Sequence, residues 1–204
     1  MAEKPILFST DMVKAILAGR KNMTRRLRGL QDINENPDEW ELVDIAKDDA
    51  LPTHRTFKRL GLEVYRFIKL PWQVEDILWV RETWCRISDY ADVDPEVGLF
   101  DGYIYRAEWR TSEHPKWHPS IYMPRDAARL FLRVKDVRVE RLQSITSKQI
   151  EDEGTNLEML NTGCECRYAF SQLWDSINGK KYPWEANPWV WVIGFEREAA
   201  NNAS

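Results

Sequence analysis

Apolar and polar positions along this chain alternate in short runs, and the period of each run predicts the element it forms. Residues 5–8 are a brief apolar run, read as a strand. Ser9 and Thr10 then offer helix caps, with Asp11 in the first turn, ahead of a helix over 12–18. Val13, Ile16 and Leu17 make its buried stripe, and Gly19 stands where a left-handed stop belongs. Strands follow at 57–59 and 62–68, turning at Gly61 as a hairpin, then at 77–82 and 102–107. The longest strand is predicted over 130–142. Leu130, Leu132 and Val134 share one face there, and Val137 and Val139 take the other. That change of parity implies a bulge or sharp bend, the device that closes small barrels.

Beyond it, Thr146 and Gln149 form a capping box for a helix ending near Glu153, with Gly154 as its stop. A second helix over 168–178 is expected to bury Phe170, Leu173, Trp174 and Ile177. A last strand over 189–195 carries Trp189, Trp191, Ile193 and Phe195 on one face. Two polar stretches, at about 31–56 and 86–99, break the pattern and read as loop insertions. Short strands outnumber helices and no repeat is visible. The expectation is one α+β domain over 1–204, a mixed β-barrel with a few covering helices.

Length and composition fit that picture: 204 residues, 43% hydrophobic and 30% charged, can bury a core without disulfides or metals. Ten tryptophans exceed ordinary use, and their indole N–H groups place some of them at a wet pocket rim. No run reaches the roughly 18 apolar residues that a membrane helix needs, so no membrane partner is expected. The first ten residues carry no export signal, and three cysteines, Cys85, Cys164 and Cys166, suggest no disulfide framework. A cytoplasmic location follows as the expectation. No metal site is expected among those cysteines, His114 and His118, because no zinc-type spacing occurs. No cofactor is implied.

Charge is unevenly placed. Between Met12 and Gln31 there is no acid, yet Lys14, Arg20, Lys21, Arg25, Arg26 and Arg28 fall there. The net charge is −4, so without those six cations the chain would stand at −10. A cationic strip on an acidic body suggests one sited anionic partner rather than a coat of polyanion. The alternative is a solvated face paired with acids elsewhere.

The run Ile16-Leu17-Ala18-Gly19-Arg20-Lys21-Asn22-Met23-Thr24-Arg25-Arg26 resembles the opening motif of ASCH-domain proteins. Further matches follow in order. They are Asp76-Ile77-Leu78-Trp79-Val80-Arg81-Glu82-Thr83-Trp84, Pro119-Ser120-Ile121-Tyr122-Met123-Pro124-Arg125, Glu153-Gly154, Leu173-Trp174-Asp175-Ser176-Ile177-Asn178 and Asn187-Pro188-Trp189-Val190-Trp191-Val192. The set looks like the larger branch of the family, found in phages and prophages. Two positions depart from it: the family usually has threonine at Asn22 and glycine at Glu75.

The resemblance implies a PUA-like barrel and a modified nucleoside or RNA as partner. A smaller branch of the family hydrolyses N(4)-acetylcytidine with a lysine, a threonine and a glutamate. The matching residues here are Lys21, Thr24 and Glu153. The implied activity is an amidohydrolase that removes the acyl group from N(4)-acylated cytosine nucleosides. A non-catalytic module for RNA or a modified base stands as the alternative, and ribonuclease activity as a third. The chemistry is coherent in itself. Thr24 supplies a hydroxyl or holds a water, and Lys21 can act as base where the cations Arg20, Arg25 and Arg26 favour its neutral form. Glu153 orients the lysine or donates a proton. For binding, Arg20, Arg25, Arg26 and Arg81 supply charge, while Trp79 and Trp84 supply stacking faces. A surface pair between Arg81 and Glu82 is the plainer reading of that charged couple.

Overall fold

The computed structural model describes residues 1–43, 53–87, 102–110, 115–155 and 163–198. In chain order these hold β1 (Glu3–Leu7), α1 (Thr10–Leu17), β2 (Met23–Arg26), β3 (Trp40–Val43), β4 (His54–Arg59), β5 (Tyr65–Lys69), β6 (Ile77–Arg81), β7 (Trp84–Arg86), β8 (Tyr103–Tyr105), β9 (Phe131–Arg141), α2 (Ser147–Asp152), α3 (Gly163–Asn178) and β10 (Trp189–Arg197). The fold is mixed α+β. Its strands form a five-stranded sheet in the order β1-β6-β9-β10-β2, a three-stranded sheet β3-β4-β5, and a pair β7-β8. No described helix is long and apolar enough to cross a membrane.

The chain divides into two compact units, and β9 and β10 each contribute residues to both. One unit comprises Met1–Asn22, Glu75–Val134 and Phe195–Ser204. In it β1 runs parallel to β6, and β6 pairs antiparallel with the start of β9, Leu78 facing Leu132. Helix α1 forms for the reasons legible in its sequence. The Ser9 hydroxyl accepts from the Met12 N–H at 3.4 Å, Val13 and Ile16 are buried, and Gly19 takes φ +70° beyond the last turn. Glu75 also takes a positive φ, 71°. That is a backbone which glycine adopts freely and which costs about 1–2 kcal/mol for a residue with a Cβ. Its carboxylate accepts from Arg133 Nη1 at 2.9 Å.

The other unit comprises Met23–Val74 and Lys135–Gly194. Here β2 pairs antiparallel with β10, Thr24 opposite Ile193 and Arg25 opposite Val192. The expected hairpin is β4–β5, with Gly61 at φ +72° in its turn. The predicted loop over 31–56 is only partly a loop. Residues 33–35 and 37–39 form 3-10 turns, β3 pairs with β4, and Phe57 of β4 packs edge-on against Trp189 at 5.2 Å. Two signals were hidden by the polar surroundings: the β-forming Trp40-Glu41-Leu42-Val43, and Asn34, whose amide brackets the Trp189 backbone N–H and C=O at 2.7 and 2.8 Å. Residues 44–52, and 88–99 of the second expected insertion, lie outside the described residues.

The parity change in β9 is present: Leu132 and Val134 are buried, Lys135 is exposed, then Val137 and Val139 are buried. Two apolar patterns resolve differently from expectation. In β10 both faces are buried from Trp189 to Ile193, as suits an interior strand of a sheet covered on both sides. In α3 the buried stripe is Cys166, Phe170 and Trp174, whereas Leu173 and Ile177 are exposed. Spacing of four defines that stripe. Leu173 lies about 100° around the helix from Trp174, and Ile177 falls in the last turn. The second unit's core gathers Leu142, Ile145, Ile150, Phe170, Trp174, Val190 and Val192.

Candidate active site

After α1 the chain enters the motif that carries Lys21. The Lys21 N–H donates to the Ala15 carbonyl at 3.1 Å, which continues the helix stop, and its side chain is carried inward to 3% exposure. Its ammonium lies 5.6 Å from the centroid of the Phe8 ring, a cation–π approach within the first unit. Arg20, one residue earlier, is exposed.

In the second unit, β2 places three buried or half-buried groups in sequence. Thr24 and Arg26 share one face of the strand, Met23 and Arg25 the other. Thr24 is 1% exposed, Arg25 4% and Glu153 9%. Glu153 is the C-cap residue of α2, whose capping box forms as the sequence predicted: Thr146 Oγ1 accepts from the Gln149 N–H, and Gln149 Oε1 from the Thr146 N–H at 3.0 Å. Gly154 follows at φ +79°. That helix stop presents the Glu153 carboxylate to Arg25, and Arg25 Nη1 donates to Glu153 Oε1 at 3.0 Å. Arg25 Nη2 donates to Gln149 Oε1 at 2.9 Å and stands 3.7 Å from a Glu140 oxygen. Its guanidinium also lies 5.9 Å from the Phe170 ring centroid.

Electrostatics follow from that burial. Loss of water pulls the Arg25 guanidinium below its ordinary value, while Glu153, and after it Glu140, oppose the pull. Arg26 is lowered for the same first reason, again with Glu153 opposing. Glu153 thus opposes the effect of burial at both arginines, through a hydrogen bond and charge at Arg25 and through charge alone at Arg26. Its ion pair is with Arg25, on the Met23 and Arg25 face of β2. Arginine stays protonated at any working pH, so Arg25 serves as a fixed cation.

The expected cationic strip is not continuous on the surface. Arg20 and Arg28 are exposed, Arg26 is half-buried, and Lys21 and Arg25 are inside. The tryptophans divide as well. Trp79 is half-buried, with the Arg81 guanidinium 5.5 Å from its ring centroid, the two being neighbours on one face of β6. Trp84 is buried, 4.9 Å from the His118 ring at a tilt of 31°, and its buried indole N–H has no hydrogen-bond partner among the described residues. His114 lies outside the described residues.

The expected Arg81–Glu82 pair does not form. Arg81 donates to the carbonyls of Ile121 and Met123, while Glu82, buried, accepts from Arg129 Nε at 3.0 Å and Nη2 at 3.2 Å. Consecutive strand residues diverge, so that pair was excluded by geometry alone. Arg129 also pairs with Glu108 and lies over the Tyr105 ring at 4.0 Å. Nothing in the local spacing of Arg129 announced this role; the partners are 47 residues apart. Gln149 was visible as a cap but not as a ligand of Arg25, because one amide oxygen serves both. Among the described residues no group of three or more His, Cys, Asp or Glu is placed to hold a metal ion.

No family model matches the sequence, and neither a curated protein nor a solved structure matches the chain.

Proposed function

We propose that the protein is an ASCH-type amidohydrolase of PUA-like barrel fold that removes the acyl group from N(4)-acylated cytosine nucleosides, with Lys21, Thr24 and Glu153 as its reacting groups. The observation that carries the reading is burial. An ammonium, a hydroxyl and a carboxylate, all from the motifs that the resemblance picks out, are each at most 9% exposed. Burying ionisable groups is costly, and such groups concentrate at functional sites. The barrel part of the reading draws on the parity change in β9 and on the five-strand order that it belongs to.

In this reaction a water, held by Thr24 Oγ1, adds to the acyl carbonyl while the Lys21 amine takes its proton. The bond between the carbonyl carbon and N(4) breaks, and N(4) leaves with a proton, giving the cytosine nucleoside and a carboxylic acid. Glu153 orients the lysine or passes the proton, and Arg25 holds that carboxylate in place. A binding-module reading would draw its affinity from the cationic strip, yet Arg25 of that strip is committed to Glu153. The test is to incubate the full chain with N(4)-acetyl-, N(4)-propionyl- and N(4)-benzoylcytidine and follow conversion to cytidine by ultraviolet absorbance. Turnover of at least one is expected. Absence of turnover for all three, in a protein shown to be folded by circular dichroism, overturns the proposal.

A further inference from the structure

We propose, on the reading above that Glu153 is a reacting group, that Glu140 is a positioning residue for the same site. It shares Arg25 with Glu153, and its own pairing with Arg138 sets how strongly it does so. All four residues belong to the second unit. Asp136, Arg138 and Glu140 alternate along β9 with the buried Val137 and Val139, so the three charged side chains lie on one face. Strand β10 runs between β9 and β2, with Val192 opposite Arg25 and Gly194 opposite Met23. Gly194 lies against this charged face, where an added Cβ would come within 3.4 Å of the Asp136 Cβ. The Arg25 side chain reaches across β10 to the same face, and its Nη2 stands 3.7 Å from Glu140 Oε2. Arg138 Nε donates to Glu140 Oε1, and Arg138 Nη1 pairs with Asp136. Charge thus alternates from Asp136 through Arg138, Glu140 and Arg25 to Glu153.

Two unmet atoms show that the carboxylates compete. Arg25 Nε, a donor, and Glu140 Oε2, an acceptor, are both buried with no hydrogen-bond partner among the described residues. Arg25 commits Nη1 to Glu153 at 3.0 Å and Nη2 to Gln149 at 2.9 Å. A turn of the guanidinium toward Glu140 satisfies both unmet atoms and breaks the bond to Glu153. Either arrangement leaves a buried polar atom poorly served, which is costly, so a neighbouring charge can tilt the balance between them. Arg138 is that charge. After burial itself, Glu153 is the largest influence on the Arg25 guanidinium and Glu140 the next, while Arg138 works in the opposite sense to both. By holding Glu140, Arg138 keeps Arg25 on Glu153, and the carboxylate stays in the position that the reaction uses.

A charge-removal cycle in the full chain, read as kcat for N(4)-acetylcytidine, tests the sharing. Arg138 has 32% of its side chain exposed, so it can be replaced without opening the core. Arg138→Met releases Glu140 to draw Arg25 away, and kcat should fall roughly three- to tenfold. Glu140→Met removes the competitor, and kcat should not fall. Adding Glu140→Met to Arg138→Met should bring kcat back to within about twofold of the unaltered protein. A role in stability alone predicts the reverse: two losses, with the double variant no better than the worse single one. Nitrogen-15 NMR of the arginine side chains reads the same balance without substrate. The Arg25 Nε–H signal, assigned by its absence in Arg25→Lys, should move downfield in Arg138→Met, where it gains an acceptor, and return in the double variant. Unchanged kcat in Arg138→Met, or a double variant no faster than Arg138→Met, overturns the proposal. So does an Nε–H signal that is alike in all the variants, and this holds whether or not any acyl-cytidine is hydrolysed. Absence of turnover by the unaltered protein, with the NMR shift present, overturns instead the amidohydrolase reading and with it the catalytic use of the latch.

Discussion

Glu82 and Arg129 show how burial and pairing compete at one residue. Burial raises the Glu82 carboxyl above the ordinary carboxylate range, and Arg129 opposes that rise through its hydrogen bonds and its charge. Glu82 is the more deeply buried partner and Arg129 divides itself between two acids, so the upward direction for Glu82 prevails. The consequence for stability has a definite sign. Between the ordinary glutamate value and the raised folded value, the unfolded chain releases a proton that the folded chain keeps. Glu82 therefore contributes fully below that window and lowers stability as pH climbs through it. Replacing Arg129 with Met removes the opposing charge and leaves the carboxylate buried alone. We expect Arg129→Met to cost about 3–5 kcal/mol near neutral pH, and less at pH 5 than at pH 8. Urea unfolding at both values measures it. A cost under about 1 kcal/mol, which is the range of exposed pairs, or one equal at the two pH values, contradicts this account of the pair.

Helix α2 is short, and its ends are what make it useful. The amide oxygen of Gln149 accepts from the Thr146 N–H at one end of the capping box and from Arg25 at the other. The cap of α2 and the Arg25–Glu153 pair are therefore one network. Thr146→Ala should cost about 1 kcal/mol, the ordinary worth of such a cap, and Gln149→Ala more, since it also deprives Arg25 of an acceptor. The two should couple by about 0.5–1 kcal/mol in a double-mutant cycle, as neighbours sharing partners do. Additivity within about 0.3 kcal/mol would refute the shared network. At this scale the sequence was informative where structure is local. The Ser9 cap, Gly19, the Gly61 hairpin, the parity change in β9 and the capping box each rest on a few adjacent residues, and each is present. What escaped it is long-range: which acid Arg129 meets, that Trp40 begins a strand, and that Leu173 and Ile177 face outward. Those outcomes depend on what packs opposite, which periodicity does not encode.

For the molecule as a whole, a chain of net charge −4 keeps its cations in two very different settings. On the β4–β5 hairpin Arg66 and Lys69 are exposed, while Lys58 and Arg59 are half-buried and paired with Glu63 and Glu39. In the motif after α1 two of them, Lys21 and Arg25, are almost wholly withdrawn from water. What was legible of the candidate site is the identity of the three proposed residues, each of which the fold buries. Arg25 as the partner of Glu153 was not, because a run of basic residues reads as a surface until the fold buries part of it. The proposed function depends on Lys21 above all. A buried lysine that serves only packing tolerates a neutral isostere, whereas one that takes a proton from the attacking water does not. The decisive measurement is therefore the rate of N(4)-acetylcytidine hydrolysis by wild-type protein and by Lys21→Met, with both shown to melt within a few degrees of each other. The account predicts turnover by the wild type and a loss of at least roughly a hundredfold in Lys21→Met, the lower end of what a positioned acid or base contributes. Turnover that survives in Lys21→Met would contradict it.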